Sequence, residues 1–282
     1  MSTIIESVLI IVPAMLYAAG LRTLWTRAGR GHGVSRARAA CFAAGLIVTA
    51  LALLSPLDAM SDALFSAHMV QHLLLIMVAA PLCVIGTPLL AILWAFPSRR
   101  RRALGAWWRR ARWVQAVVRA LTQPGAAFLI HFVLLWFWHF PRPYQAAVEH
   151  EPLHALEHLC FMGSAMLLWW VALQPTGRRR ASEGSAILLM GGTLMQSGVL
   201  GAVLMFAQSP WYPVHAAGTR AWGTTLLEDQ QLAGLLMWIP ASAIYLAAAA
   251  WLFLRWMRAD ERREERVAGT VRIARTAEGR LQ

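Results

Sequence analysis

The sequence contains no lysine, only three cysteines and few charged residues of any kind. All 26 basic residues among its 282 residues are arginine, and charged residues make up only 14% of the chain. A soluble domain usually carries about 25% charged residues, so an ordinary water-soluble domain is excluded. Cys41, Cys83 and Cys160 lie far apart in apolar segments and form no CxxC pair. This spacing excludes both a disulfide framework and a thiolate metal cage.

Apolar residues take the place of the missing charge. Hydrophobic residues make up 58% of the chain, mean hydropathy is +0.51, and there are 14 tryptophans. Several apolar runs reach the roughly 20 residues that a helix needs to cross the hydrocarbon core. Tryptophan favours the membrane–water interface. The sequence therefore predicts an all-α, polytopic helix bundle in the lipid bilayer.

Apolar runs and helix breakers predict about seven transmembrane helices. The spans are residues 4–24, 39–57, 64–86, 122–140, 152–173, 185–206 and 229–254. The first is interpreted as a span because it carries Glu6 where a signal peptide has a basic region. We expect span 64–86 to be broken near Pro81 and residues 88–96 to form a short interfacial piece. A tight hairpin within 64–96 would add an eighth span.

Arginine placement predicts the orientation. Four groups, at residues 22–38, 99–119, 178–180 and 255–280, hold 24 of the 26 arginines. The positive-inside rule then predicts an exterior N-terminus and a cytoplasmic C-terminus in a bacterial plasma (inner) membrane. Basic loops between spans also explain the net charge of +12 without a nucleic-acid partner. We expect a transmembrane domain over residues 1–257 and a charged cytoplasmic tail over 258–282.

Two histidine pairs at helical spacing are the main candidates for chemistry. His68 and His72 are four residues apart, and so are His154 and His158. Residues at i and i+4 share one helix face. With an exterior N-terminus, both pairs enter their spans from the outer end, and His72 and His158 lie about 10 Å below the surface at a rise of 1.5 Å per residue.

Further candidate ligands accompany the pairs at the same depth. Glu157 adjoins His158, His139 ends the fourth span, and Asp229 opens the seventh. The predicted metal site faces the exterior and comprises His68, His72, His154, His158, Glu157, His139 and Asp229. Imidazole suits copper, zinc, iron and nickel, so these residues leave the metal open. Thioethers would favour copper(I), although most of the nearby methionines, such as Met69 and Met162, are better read as core residues.

Three stretches together carry a family resemblance. They are SPLDAMSDALFSAHMVQHLLL…APLCVIGTPL, HFPRPYQAAVEHEPLHALEHLCFM and EDQQLAGLLMWIP. In combination they resemble the membrane-integral CtaG family of cytochrome c oxidase assembly factors over about residues 40–256. The matching motifs point to the two histidine pairs with Glu157, and to Gln71, His139, Asp229, Gln230 and Gly234.

The resemblance implies an assembly or metal-transfer factor rather than an enzyme. It implies copper as the metal, a copper-containing oxidase as the target and an oxidase subunit as the partner. An unrelated single-span copper chaperone shares the family's name but carries a cysteine pair, and this chain has no such pair.

Other functions stay open from the residues themselves. The pairs could hold iron in a membrane metalloenzyme, although such enzymes usually place more histidines on the cytoplasmic side. A b-type haem could be ligated between the third and fifth spans, with the glycines of 191–201 making room for the macrocycle. The histidines could also form a structural polar cluster in a protein that only holds an oxidase subunit.

Overall fold

The structure, a computed structural model, describes residues 2–173 and 182–278, and the side chains of residues 7–173 and 182–261. All regular elements in those residues are helical, which confirms the predicted all-α fold. The α-helices are α1 Ser2–Ala28, α2 Arg36–Leu54, α3 Pro56–Ala63, α4 Phe65–Leu73, α5 Ala80–Ile85, α6 Pro88–Ala95, α7 Ser98–Arg110, α8 Arg112–Leu121, α9 Pro124–His139, α10 Pro141–Glu149, α11 Glu151–Leu173, α12 Glu183–Met205, α13 Ala216–Ala221 and α14 Leu226–Glu278.

Six helical segments among the described residues are long and apolar enough to cross a membrane. They are Ser7–Ala28, Arg36–Leu54, Phe65–Ile85, Glu151–Leu173, Glu183–Met205 and Leu226–Glu261. A seventh crossing requires α8 and α9, which meet at a 69° bend, to count as one span. The structure therefore fits a multi-pass membrane protein with six or seven crossings.

The fourth span is shorter than the sequence predicts. Residues 122–140 become α9, which has 16 residues. At 1.5 Å per residue, α9 is about 24 Å long, against a hydrocarbon thickness of about 30 Å. Pro124 begins α9 because proline fits the first helical turn but cannot continue a preceding helix. The bend follows from that proline.

The third span is one irregular helix, as predicted. Between α4 and α5, residues Leu74–Ala79 form a π-helical turn just before Pro81. Proline removes one hydrogen bond and crowds the preceding turn, which explains the irregularity. The indole of Trp169 donates a hydrogen bond to the Ile76 carbonyl at 2.9 Å, so α11 is tied to this turn. After the span, the predicted short piece at 88–96 is confirmed as α6, and residues 64–96 contain one span-length helix.

Close packing of α12 on α14 depends on two glycines. A Cβ added to Gly201 would lie 2.8 Å from the carbonyl oxygen of Gly234. One added to Gly234 would lie 2.5 Å from the amide nitrogen of Met205. Small residues of this kind let membrane helices approach backbone to backbone.

Replacing Gly234 with alanine is expected to destabilise the bundle. The new methyl group meets backbone atoms, which cannot rotate away, so the helices must move apart at a cost of about 1–3 kcal/mol. Thermal unfolding of the detergent-purified protein measures the loss. Gly191→Ala is the matched control, because nothing lies within 4 Å of a Cβ added there. Equal melting temperatures for the two variants would contradict the packing role of Gly234.

At the end opposite the histidine pairs, the two long C-terminal spans are joined by an ion pair. Arg255 Nη2 on α14 lies 2.6 Å from Glu183 Oε2 on α12. Helix α14 continues without a break past residue 257 to Glu278, so the expected boundary between a membrane domain and a tail falls inside one helix. The arginine group at residues 178–180 lies outside the described residues. The orientation drawn from the arginines stays a prediction.

Candidate metal centre

The two histidine pairs meet between α4 and α11. The rings of His68 and His154 lie 5.1 Å apart, and those of His72 and His158 lie 5.4 Å apart, measured between centroids. Within each helix the paired rings are 4.3 Å apart. His68, His72 and His158 are almost fully buried, whereas His154 is half-buried. The predicted sharing of one helix face and one depth thus brings four imidazoles into a single group.

Glu157 lies between the two rings of the α4 pair. Its carboxylate oxygens are 3.6 Å from His68 Nε2 and 3.8 Å from His72 Nε2, and its side chain has no exposed surface. A carboxylate buried in a span is costly unless it is paired or binds a cation. The neighbouring Nε2 atoms of His68 and His72 could bind a cation together with this carboxylate.

Buried polar atoms of this group lack hydrogen-bond partners. Both ring nitrogens of His68, His72 and His158 have none, and neither has either carboxylate oxygen of Glu157. Most buried polar atoms in native proteins have a partner, so a cluster of orphans calls for an explanation. A bound cation would give a partner to one nitrogen of each ring and to the Glu157 carboxylate, because a neutral imidazole carries one lone pair and a carboxylate carries several.

The ligand atoms form two overlapping triads. His68, His154 and His158 make one, His68, His72 and Glu157 make the other, and within each the ligand atoms lie within 4.8 Å of one another. Ligand atoms around a tetrahedral ion with bonds of about 2.0–2.1 Å are about 3.4 Å apart. The separations from Glu157 are near that value already. His68 belongs to both triads.

Asp229 lies at the top of α4 rather than among the imidazoles. Its carboxylate accepts hydrogen bonds from the Phe65 amide at 2.7 Å, from the Ser66 amide at 3.3 Å and from the Ser66 hydroxyl. The residue before α4 is Leu64, whose side chain cannot cap a helix. Asp229 therefore caps α4 from another helix and positions His68 and His72 indirectly.

The other outlying candidate, His139, lies on the far side of His72. Its ring is 6.2 Å from that of His72, and its Nε2 lies 3.4 Å from the sulfur of Met69. It belongs to neither triad. The sequence thus groups seven residues, and the structure brings five of them together.

Removing the cap at Asp229 is expected to weaken the site through the fold. Asp229→Ala leaves two buried amides at the start of α4 without acceptors, at a cost of about 1–3 kcal/mol each. The melting temperature of the purified protein should fall. Asp229→Asn keeps one acceptor oxygen and should fall less. If both variants had the same melting temperature as the unchanged protein, the capping role would be refuted.

Helix α3 and the helix-connecting segments close the cluster from above. Gln71 donates to the Ala52 carbonyl at 2.8 Å and to Asp58 Oδ1 at 2.9 Å, which holds α3 against α4. Burial raises the pKa of the Asp62 carboxyl, and Asp58 and Glu151 add to the rise while His154 opposes it. Asp62 therefore lies close to the half-buried His154, with Asp58 and Glu151 nearby.

Two residues that the sequence analysis left out complete the wall of the cluster. The Tyr144 ring lies edge-on to His68 at 5.1 Å, and its hydroxyl is 2.8 Å from His215 Nε2. Burial lowers the pKa of His215, and its Nδ1 faces the Asp62 carbonyl at 3.2 Å. A neutral His215 must donate to that carbonyl, so Nε2 accepts from Tyr144. The tyrosine of the HFPRPY stretch was the only sequence signal for this contact.

Most of the space beside the glycines of 191–201, where a haem was a candidate, is filled. A Cβ on Gly192 would meet Phe128 at 3.2 Å, and one on Gly198 would meet Trp238 at 3.6 Å. Gly201 faces the backbone of α14, as described above. Neighbouring helices therefore fill the space beside these three glycines, whereas nothing lies within 4 Å of a Cβ added to Gly191.

The fold and the cluster define a class: a multi-pass membrane helix bundle with buried histidines and a carboxylate gathered at one end. The family model for the cytochrome c oxidase caa3 assembly factor (Caa3_CtaG) matches residues 15–259. The chain belongs to this family, which confirms the predicted resemblance.

Two curated relatives extend the comparison without adding a function. Each is named an uncharacterized protein, one from Mycobacterium bovis and one from Mycobacterium tuberculosis. Both are 24% identical over 269 residues, which cover 92% of this chain and 40% of theirs. The chain thus spans well under half the length of these relatives. No solved structure matches it.

Proposed function

We propose that the chain binds copper at the cluster of His68, His72, His154, Glu157 and His158 and helps to insert it into a cytochrome c oxidase. The observation that carries this proposal is the convergence of unpartnered nitrogen and oxygen atoms from two helices on one buried volume. Membership of an oxidase assembly family supplies the target. Copper is cargo here, to be held and passed on.

Copper is favoured by the donor set together with the family. Imidazole and carboxylate ligands suit copper, zinc, iron and nickel alike. Among these, copper is the metal that the resemblance to oxidase assembly factors implies. The thioether of Met69 beside His139 adds a soft donor next to the cluster, and soft donors select copper(I).

Two overlapping triads suit a protein that must release its metal. An ion held by His154 and His158 can move to His72 and Glu157 without leaving His68, which belongs to both sets. Ligands are then exchanged one at a time, and the ion is never without a partner. The half-buried His154 is the natural point of entry, because the other cluster residues are almost fully buried.

Delivery from the exterior side follows from the arginine distribution. If the N-terminus is outside, then the cluster opens toward the exterior leaflet and the basic helices α7 and α8 lie at the cytoplasmic end. An oxidase subunit would then receive copper from the outer side of a bacterial plasma membrane.

Elemental analysis with an assembly measurement tests this function. The full-length protein purified from copper-supplied cells is expected to contain copper, and His68→Ala should remove most of it. His150→Ala is the matched control, since His150 is exposed at the same end of α11 but outside the cluster. In cells whose own copy is deleted, His68→Ala should fail to restore copper-loaded oxidase, whereas His150→Ala should restore it.

The same preparation separates the competing functions. Two irons per chain would favour a membrane metalloenzyme, and a Soret band would demand haem. Normal oxidase assembly in cells that carry a metal-free His68→Ala variant would leave scaffolding as the remaining candidate function. Each of these outcomes would overturn copper delivery.

A further inference from the structure

A small, mostly apolar cavity lies below the cluster, deeper in the bundle. It measures about 30 Å³, and a cavity needs roughly 10–15 Å³ to hold one water molecule. Eight of its lining residues carry nitrogen, sulfur or hydroxyl groups: Met69, His72, Met77, His131, His139, Ser197, Met237 and Tyr245. His72 borders both this cavity and the cluster above, so the two volumes share one side chain.

At one wall, two lone-pair donors face each other. His139 Nδ1 lies 2.7 Å from the Leu135 carbonyl, which can only accept, so Nδ1 carries the proton of the neutral ring. Nε2 then presents a lone pair to the Met69 sulfur, 3.4 Å away. A thioether sulfur also has no proton to donate. Neither atom carries a hydrogen that could form a hydrogen bond to the other, whereas a cation would attract both.

Two further polar atoms in the cavity lining, on His131 and Tyr245, also lack hydrogen-bond partners. The Ser164 hydroxyl donates to the Phe161 carbonyl, so it accepts from His131 Nδ1 at 3.0 Å. His131 Nε2 is therefore another lone pair, and it has no partner. The Tyr245 hydroxyl has none either. Both residues are at least 99% buried.

We propose that this cavity is a second copper site, specific for copper(I), with His139 Nε2 and Met69 Sδ as its ligands. It rests on copper binding at the cluster above. Bonds of about 2.0 Å to nitrogen and 2.3 Å to sulfur would close at an angle of about 105° for the observed spacing, near tetrahedral. A thioether is a soft ligand, which selects copper(I) over zinc or copper(II).

The position of His72 makes the second site a continuation of the first. An ion held by His72 and Glu157 can exchange the carboxylate for the His139–Met69 pair while it stays bound to His72. The chain would thereby hold two ions in series, the outer one in a nitrogen and oxygen set and the inner one in a nitrogen and sulfur set.

Anaerobic copper(I) titration of the full-length protein in detergent, against a chromogenic copper(I) chelator, tests the second site. We expect two ions per chain and, by X-ray absorption at the copper edge, sulfur scattering from the loaded protein. Met69→Leu keeps the side-chain volume and should lose one ion together with the sulfur signal. Met195→Leu is the matched control, because Met195 is 69% exposed and should keep both.

The outcomes separate this inference from the function on which it rests. One ion per chain with only nitrogen and oxygen scattering in the unchanged protein would overturn the second site and leave the cluster intact, whatever Met69→Leu does to folding. A full second equivalent in a folded Met69→Leu protein would also overturn it. No copper in either oxidation state would overturn both sites.

Discussion

Replacing His72 and His158 together with alanine is expected to abolish high-affinity copper binding while the bundle stays folded. Each triad loses one ligand, and the two removed rings come from different helices. A partner that merely orients a ligand is typically worth about 10–100-fold in affinity. The loss of two ligands should therefore lower the copper affinity by more than about 100-fold.

Folding of this double variant is expected to be preserved for a specific reason. The ring nitrogens of His72 and His158 have no protein partners, so their removal breaks no internal hydrogen bond. The cost is then limited to the cavities that the two rings leave behind. A structural polar cluster would lose its internal hydrogen bonds in addition, and its stability would fall further.

Thermal unfolding with and without copper measures the difference. A ligand at 100 times its dissociation constant stabilises the folded state by about 2.7 kcal/mol. The unchanged protein and His150→Ala should show this upward shift, and the double variant should not. A double variant that melts far below the metal-free parent, or that shifts normally with copper, would show that the histidines serve another purpose.

Glu157→Gln is the single substitution with the next largest expected effect. The amide keeps the shape of the side chain but removes the negative charge that faces His68 and His72. A neutral carbonyl oxygen is a weaker ligand for a cation, and we expect copper affinity to fall by about 10–100-fold. Competition titration against a chelator measures the change.

The stability of the metal-free protein should increase in Glu157→Gln, although its copper affinity falls. The carboxylate of Glu157 has no exposed surface and no hydrogen-bond partner, so in its charged form it is costly to bury. An amide is less costly, and the metal-free Glu157→Gln protein should melt at a higher temperature than its parent. Glu149→Gln, at an exposed carboxylate nearby, should change neither quantity. Unaltered affinity together with reduced stability in Glu157→Gln would instead assign the carboxylate a structural role.

The sequence predicts the centre of the site because helix geometry needs no tertiary information. A spacing of four residues fixes the shared face of His68 and His72, and the length of the apolar runs fixes their depth. The same two rules apply to His154 and His158. Glu157 follows from its place beside the second pair. These five residues meet in the structure.

The contacts that the local sequence does not indicate join distant parts of the chain. The depth of Asp229 predicts a ligand, and the structure shows its carboxylate capping a helix that begins 164 residues earlier. Nothing in the local sequence around Leu64 indicates that its helix needs an acceptor from elsewhere. The contact of Tyr144 with His215 likewise joins residues 71 positions apart.

Prolines explain where the helices of the spans are irregular or short. Pro81 predicts a disturbed third span, and a π-helical turn lies just before it. Pro124 shortens the fourth span: residues 122–140 are predicted, and the helix there starts at that proline and has 16 residues. The short helices α3, α10 and α13 could not be predicted from apolar runs, because they lie outside the spans.

Pulsed electron paramagnetic resonance on the full-length protein, loaded with one equivalent of copper(II), tests the shared imidazole site most directly. The remote nitrogen of each bound imidazole modulates the signal, so the number of coordinated rings can be counted. We expect at least two rings, reduced in His68→Ala and unchanged in His150→Ala. Copper(II) that binds without imidazole, or a protein that binds copper in neither oxidation state, would contradict the central claim that histidines of α4 and α11 hold one metal between them.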